Sequence, residues 1–102
     1  MAVTRLNDFH AAPGKEIALG DFLRSVIALI ESAPGCLAVE LLLDQEDRAH
    51  FVIVERWTDV AAHRAAASRV PPEKMAEVRP LLAASPTGRY YDESPPRDPG
   101  VL

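Results

Sequence analysis

The sequence is short of several things, and each shortage excludes something. It has one cysteine, Cys36, in 102 residues. A lone cysteine cannot close an intrachain disulfide, so nothing points to an oxidising compartment. Three histidines and that cysteine show no CxxC or HxH spacing, so no metal site is legible. Glycine is sparse, and "PGKE" (Pro13–Glu16) holds only one, so there is no glycine-rich phosphate loop. Positive charge is scarce: 11 Lys and Arg face 15 Asp and Glu, for a net charge of -4. That argues against nucleic acid or an anionic membrane surface, which both need a basic face. No apolar run approaches the ~18 residues that span a bilayer. The opening "MAVTRLNDFH" lacks the apolar core of a signal peptide. What remains, at 48% hydrophobic residues, suits one packed domain. The expectation is a soluble, cytoplasmic, acidic protein.

Hydrophobic spacing gives the elements. "VTRLNDFHA" (Val3 to Ala11) alternates loosely and reads as a strand, with Val3, Arg5, Asn7 and Phe9 on one side. From Lys15 to Ser32, Leu19, Phe22, Leu23, Val26, Ile27 and Ile30 fall on one stripe of a helix, closed by "APG" at Ala33 to Gly35. "GCLAVELLLD" and "HFVIVERW", parted by the short polar "QEDRA", read as an antiparallel hairpin whose turn lacks Asn-Gly. Thr58 and Asp59 are N-caps for the Ala-rich "VAAHRAAAS". "PPEKMAEVRPLLAAS" reads as another short helical piece, with Pro72 in its first turn and Pro80 kinking or ending it. "PTGRYYDE" is a final strand. Residues 94–102, "SPPRDPGVL", are expected to be a disordered tail behind a domain spanning residues 1–93. The order strand, helix, strand, strand, helix, strand is the ferredoxin-like βαββαβ arrangement, an α+β fold with one antiparallel sheet and its helices on one face.

One stretch does not fit a lone sheet of that kind. "FVIV" (Phe51 to Val54) and "LAVELLL" are apolar on both faces, as in sheets buried on both sides. No second helical layer is left in the chain. Exposing four to six large side chains costs roughly 1.5–3 kcal/mol each relative to burial. The expectation is a homodimer docked through the open sheet face, against the alternative that some of these side chains simply stay exposed.

The same segments carry a resemblance. The early strand, "APGKE", the long helix, "PGC" before the second strand, "ERW" closing the third, "AAHRAAAS" on the next helix and "GRYY" near the end resemble, in that order, the antibiotic biosynthesis monooxygenase family, which includes quinol monooxygenases. The resemblance spans about Val3 to Tyr91. It implies a dimeric α+β barrel with a small ligand pocket in each subunit. It also implies oxidation of anthrones or hydroquinones with O2, often with neither metal nor flavin, so no cofactor is expected. The chemistry is feasible because a phenol or anthrone that loses a proton becomes an anion able to reduce O2 itself. The protein then supplies a base or acceptor, donors for the developing charge and a dry pocket. Many members carry a His about nine residues after the Trp of the third strand. Here that position is Ala66 and the histidine is His63. The heme-degrading branch uses a strand-one Asn, matched by Asn7, but also a second Trp, which this chain lacks. Residue 75 is Met, and heme degradation is disfavoured.

The candidate site residues each have a plainer reading. His63 can accept a proton or orient a hydroxyl; otherwise it is an exposed helix histidine. Asn7 sits inside a strand, where Asn is unfavourable; it bonds a substrate oxygen, or faces solvent on an edge strand. Those two are the expected catalytic residues. Trp57 walls the pocket or packs the core. Phe22 lies on the helix stripe as a substrate contact. Tyr90 and Tyr91 point to opposite faces, with one, assigned as Tyr90, reaching the substrate. Arg24 reaches an anionic ligand or sits on a solvated helix face. His10 and His50 read as surface residues, and Cys36 as a small buried hydrophobe. Glu40 and Glu55 interrupt apolar strands. They form an acid/base pair, or each pairs with an arginine such as Arg48, Arg56 or Arg89 at an edge or interface. Two functional classes stand: a monooxygenase acting on a small aromatic, and a non-catalytic dimer that binds a hydrophobic metabolite. An isomerase or lyase on the same fold is the third option. Convergence of polar groups such as Asn7 and His63 on one ligand atom separates enzyme from binder.

Overall fold

A computed structural model describes residues 2–94. Of the tail expected over residues 94–102, residues 95–102 lie outside the described residues. Four strands form one antiparallel sheet: β1 (Val3–His10), β2 (Cys36–Leu43), β3 (His50–Trp57) and β4 (Thr87–Asp92), in the order β2-β3-β1-β4. Three helices join them: α1 (Glu16–Ile30), α2 (Val60–Ala67) and α3 (Pro72–Val78), the last running into a 3-10 turn at Arg79–Leu81. This is the ferredoxin-like α+β arrangement expected from the sequence.

The local chemistry explains the boundaries. α1 begins at Glu16, whose carboxylate suits the positive end of the helix, and stops two residues short of the expected Ser32. The Asp59 side chain accepts from the Ala62 N–H at 2.8 Å and caps α2; Thr58 does not. Pro72 occupies the first turn of α3, where its missing N–H costs nothing. Pro80 ends the α-helix at Val78, as a ring without an N–H must. In the β2–β3 turn, carboxylates replace the missing Asn-Gly. Asp44 Oδ1 accepts from the Glu46 N–H at 2.8 Å, and Asp47 Oδ1 from the Ala49 N–H at 3.0 Å. Gly35, just before β2, has φ +86, and a Cβ there would lie 2.6 Å from that of Ala62, so only glycine lets α2 approach.

The core lies between the sheet and the helices. Leu19 and Leu23 of α1 pack with Phe51 and Ile53 of β3, Ala11 and Val78. Residues of one parity on β3, Phe51, Ile53, Glu55 and Trp57, are all buried. Val52 and Val54 face the other way and are only half-buried. On that open face Leu42 stays 46% exposed and Tyr91 45%. Among the described residues, then, the helices cover only one face of the sheet. His50 is not a free surface residue: it sits 2.7 Å from Asp8 and 2.9 Å from Asp44 on the open face. Cys36 is half-buried rather than enclosed.

Candidate active site

The helix face of the sheet is not packed solid. A cavity of about 290 Å³ lies between it and the helices, at the lower end of the range for small-molecule sites. Phe22, Val26 and Ile30 project into it from α1 at a spacing of four, one face of the helix. Ile53 and Trp57 form the sheet side, and Met75 and Val78 of α3 close another. The lining is apolar at nearly every position. Asn7, Glu55 and His63 are the exceptions.

These three meet because of strand register. β1 is an interior strand, paired with β3 on one side and β4 on the other. Arg5 therefore lies opposite Glu55 and Tyr90, and Asn7 opposite Ile53 and Gly88. Arg5 Nε donates to Asn7 Oδ1 at 3.0 Å, and Asn7 Nδ2 donates to Glu55 Oε2 at 2.5 Å. Trp57 Nε1 donates to Glu55 Oε1 at 2.9 Å. His63, from α2, places Nδ1 2.5 Å from the Tyr90 hydroxyl, and the tautomer decides which of the two donates. Its Nε2 stands 3.9 Å from Glu55 Oε1, beyond hydrogen-bond reach. The Arg5 guanidinium lies 4.6 Å over the Tyr90 ring. Gly88 makes room for this: a Cβ there would collide with the Arg5 guanidinium and lie 2.6 Å from Asn7 Oδ1.

Burial sets the electrostatics. Glu55 is 3% exposed. Desolvation raises its pKa above the usual 4.5, while the Trp57 N–H, the Arg5 charge and the Asn7 amide pull it back. His63 moves the other way. Desolvation, then the positive charges of Arg5 and Arg64, hold its pKa below 6.5. The cavity therefore discourages charge on both its acid and its base. A raised acid and a lowered base have proton affinities that lie closer together, which suits the passing of a proton between them.

The structure brings together Asn7, His63, Trp57, Phe22 and Tyr90. All but Tyr90 line the cavity, and Tyr90 reaches it through His63. Of the two tyrosines, Tyr90 faces the helices and Tyr91 the open face. Asn7 is not on an edge strand. Arg24 is not brought in: it is exposed, pairs with Asp21 at 3.2 Å and borders a separate surface depression. The residue that sequence reasoning left out of the expected catalytic pair is Glu55, weighed there only as a partner of Glu40 or of an arginine. It does not face Glu40, which pairs with Val54 on the opposite side of the sheet. Nor does it join Arg48, Arg56 or Arg89; Arg5 is the nearby cation and acts through Asn7. The signal was available, since Glu55 shares the parity of Phe51, Ile53 and Trp57. Among the described residues no cluster of three or more His, Cys, Asp and Glu could hold a metal, and no helix is long and apolar enough to cross a membrane.

The fold has many solved counterparts. A Pseudomonas aeruginosa protein, PA3566, is 26% identical over 92% of this chain and 95% of its own, with a TM-score of 0.79. Rv0793 of Mycobacterium tuberculosis is 19% identical over 96% of this chain and all of its own (100%), with a TM-score of 0.81. A mutant of SnoaB, described as a cofactor-independent oxygenase from Streptomyces nogalater, is 19% identical over 93% of this chain and 95% of its own, with a TM-score of 0.76. Among curated proteins none matches the sequence. The family pattern described as "Antibiotic biosynthesis monooxygenase" matches residues 2–69, which hold Asn7, Glu55, Trp57 and His63. The chain belongs to the antibiotic biosynthesis monooxygenase family.

Proposed function

We propose that the protein is a monooxygenase that oxidises a small aromatic hydroxyl compound, of the quinol or anthrone kind, with O2 in this cavity. The observation that carries the reading is the convergence of Asn7, Glu55 and His63 at one end of an otherwise apolar cavity. Family membership, and the oxygenase description of one structural counterpart, support it.

The ring lies against Phe22, Ile53 and Trp57, and the hydroxyl reaches the polar end. Loss of a proton there makes an electron-rich anion. Asn7 uses one N–H on Glu55 and keeps a second to donate to the developing oxyanion. The anion reduces O2. One oxygen atom joins a ring carbon as a carbonyl, the other leaves as water, and the substrate supplies all four electrons. The reading needs neither metal nor flavin, because the substrate is its own reductant. The apolar walls keep water from the reactive anion. The open sheet face, with Leu6, Leu42, Val52, Val54 and Tyr91, is assigned to a second copy of the chain, giving a homodimer. The work is placed in the cytoplasm, where the lone Cys36 thiol stays reduced.

The test is O2 consumption by the purified protein with a panel of anthrones and hydroquinones, beside His63→Ala and Asn7→Ala variants shown to remain folded dimers. Saturable uptake that falls at least about tenfold in a variant is expected, since a positioned acid–base group contributes ~10²–10⁴-fold. Uptake no faster than autoxidation, with ligand still bound, would instead favour a non-catalytic binding dimer.

A further inference from the structure

We propose that Glu55 is the proton acceptor of this cavity, and that the cavity takes uncharged compounds carrying an acidic O–H or C–H at one end. The assignment rests on the monooxygenase reading and deepens it by naming the base and the charge of the substrate.

The placement is costly and unexplained by packing. Glu55 occupies an interior strand, at a position whose same-side neighbours Ile53 and Trp57 are apolar and buried. An isolated buried carboxylate is strongly disfavoured. Among the described residues no lysine or arginine lies within ion-pair distance of it. Its two direct partners are Asn7 and Trp57, each giving one N–H to one oxygen. The Asn7 amide is fixed in that sense. Arg5 can only donate, so it claims the Asn7 oxygen and turns the Asn7 nitrogen toward Glu55. Trp57 too can only donate. Both partners thus hold Glu55 as an acceptor. A carboxylate has about four acceptor sites, and two donors leave capacity for a ligand proton in the cavity that Glu55 lines.

His63 suits the next position. Its Nε2 is 3.9 Å from Glu55 Oε1, too far for a bond at rest and bridgeable by a small shift of the ring or by a ligand oxygen. Its side chain is 14% exposed against 4% for Glu55, so it offers the buried acid a way to return its proton to water. The step balances without an oxidant. The carboxylate takes H⁺ from the ligand, the ligand keeps the bonding pair as an anion, and the proton passes on through His63. The other titratable groups around Glu55 and His63 are Arg5 on β1 and Cys36 at the start of β2, and, beside His63, Tyr90 on β4 and Arg64 on α2. No Lys or Arg lines the cavity. A carboxylate or phosphate ligand would bring a second negative charge beside Glu55, while the nearest cation, Arg5, lies outside the lining and is already engaged with Asn7.

The experiment separates proton removal from oxidation. Deuterium exchange into the acidic C–H positions of anthrone and of 2-tetralone is followed by proton NMR in D2O, without O2, and O2 uptake is measured in parallel. Wild-type protein is expected to speed exchange above the buffer rate. Glu55→Gln is expected to lose about a hundredfold of it, and His63→Ala less than tenfold. Exchange that Glu55→Gln retains, or that His63→Ala loses more completely, overturns the assignment, as does wild-type exchange no faster than buffer for both probes. Exchange that depends on Glu55 without any O2 uptake upholds it and removes the monooxygenase reading instead. If Glu55→Gln does not fold, because its amide meets two donors, Glu55→Asp carries the test. Reduced exchange that still rises with pH supports the role, and unchanged exchange overturns it.

Discussion

A histidine meets a carboxylate over each face of the sheet, His63 from α2 with Glu55 on one side and His50 with Asp44 on the other, and the two pairs behave oppositely. On the helix face, Glu55 and His63 stand 3.9 Å apart. Burial is the first influence on both, raising the acid and lowering the base. On the open face, His50 lies 2.7 Å from Asp8 and 2.9 Å from Asp44, its ring stacked 4.5 Å from that of His10. There hydrogen bonding is the first influence: Asp44 and Asp8 raise His50, and His50 lowers Asp44. The inner pair is driven toward neutrality and the outer toward an ion pair. Distance and access to water decide which, and residue type does not.

Substitutions that break the inner arrangement should have the largest effects. Asn7→Ala removes a donor from Glu55 and an acceptor from Arg5. We expect kcat/KM for O2 consumption to fall about a hundredfold, as when one donor is lost from an oxyanion site, and the rising limb of its pH profile to move to higher pH. Gly88→Ala forces Arg5 and Asn7 aside and should cost about 1–3 kcal/mol in urea unfolding, the usual penalty of overpacking. Trp57→Phe keeps the ring and removes the N–H that serves Glu55 Oε1. The same assay should show a loss of about 1–3 kcal/mol, the cost of an unsatisfied buried acceptor.

Smaller effects sharpen the contrast. A raised folded-state pKa means that Glu55 contributes its stability below the unfolded value of 4.5 and loses it as pH rises through the raised value. The melting temperature of the wild type relative to Glu55→Gln should therefore fall across that interval. A difference independent of pH would show that burial does not perturb Glu55. His50 is also raised, so its contribution is complete below pH 6.5 and lost above its folded value. His50→Asn should lower the melting temperature slightly at acidic pH and hardly at all at alkaline pH, with added salt shrinking the difference.

Much of the fold was legible because its signals are local. The α1 stripe, the Asp59 cap and the stop at Pro80 each depend on a few neighbouring residues. Asn7, His63, Trp57 and Phe22 were legible as chemical types at suitable positions. Glu55 was harder to read, since a carboxylate in a strand is usually an edge or interface residue, and its partner Asn7 lies 48 positions away in sequence. Register, which no local pattern fixes here, brought them together. Arg24 shows the opposite error. It follows Phe22 and Leu23 in sequence, yet two residues along a helix is about 200° around its axis, and Arg24 projects away from the cavity. The pairing of Arg5 with Asn7 and Tyr90 likewise needed the order β3-β1-β4.

The most direct test of this account is an NMR pH titration of the histidine rings in the unliganded protein. The account predicts that His63 titrates below 6.5 and His50 above it, in the same spectrum. A His63 that titrated above His50 would mean that it forms a charged pair with an ionised Glu55. Burial would then not be the first influence on this pair, the contrast between the two faces would fail, and a His63 already charged at rest could not take the proton on from Glu55.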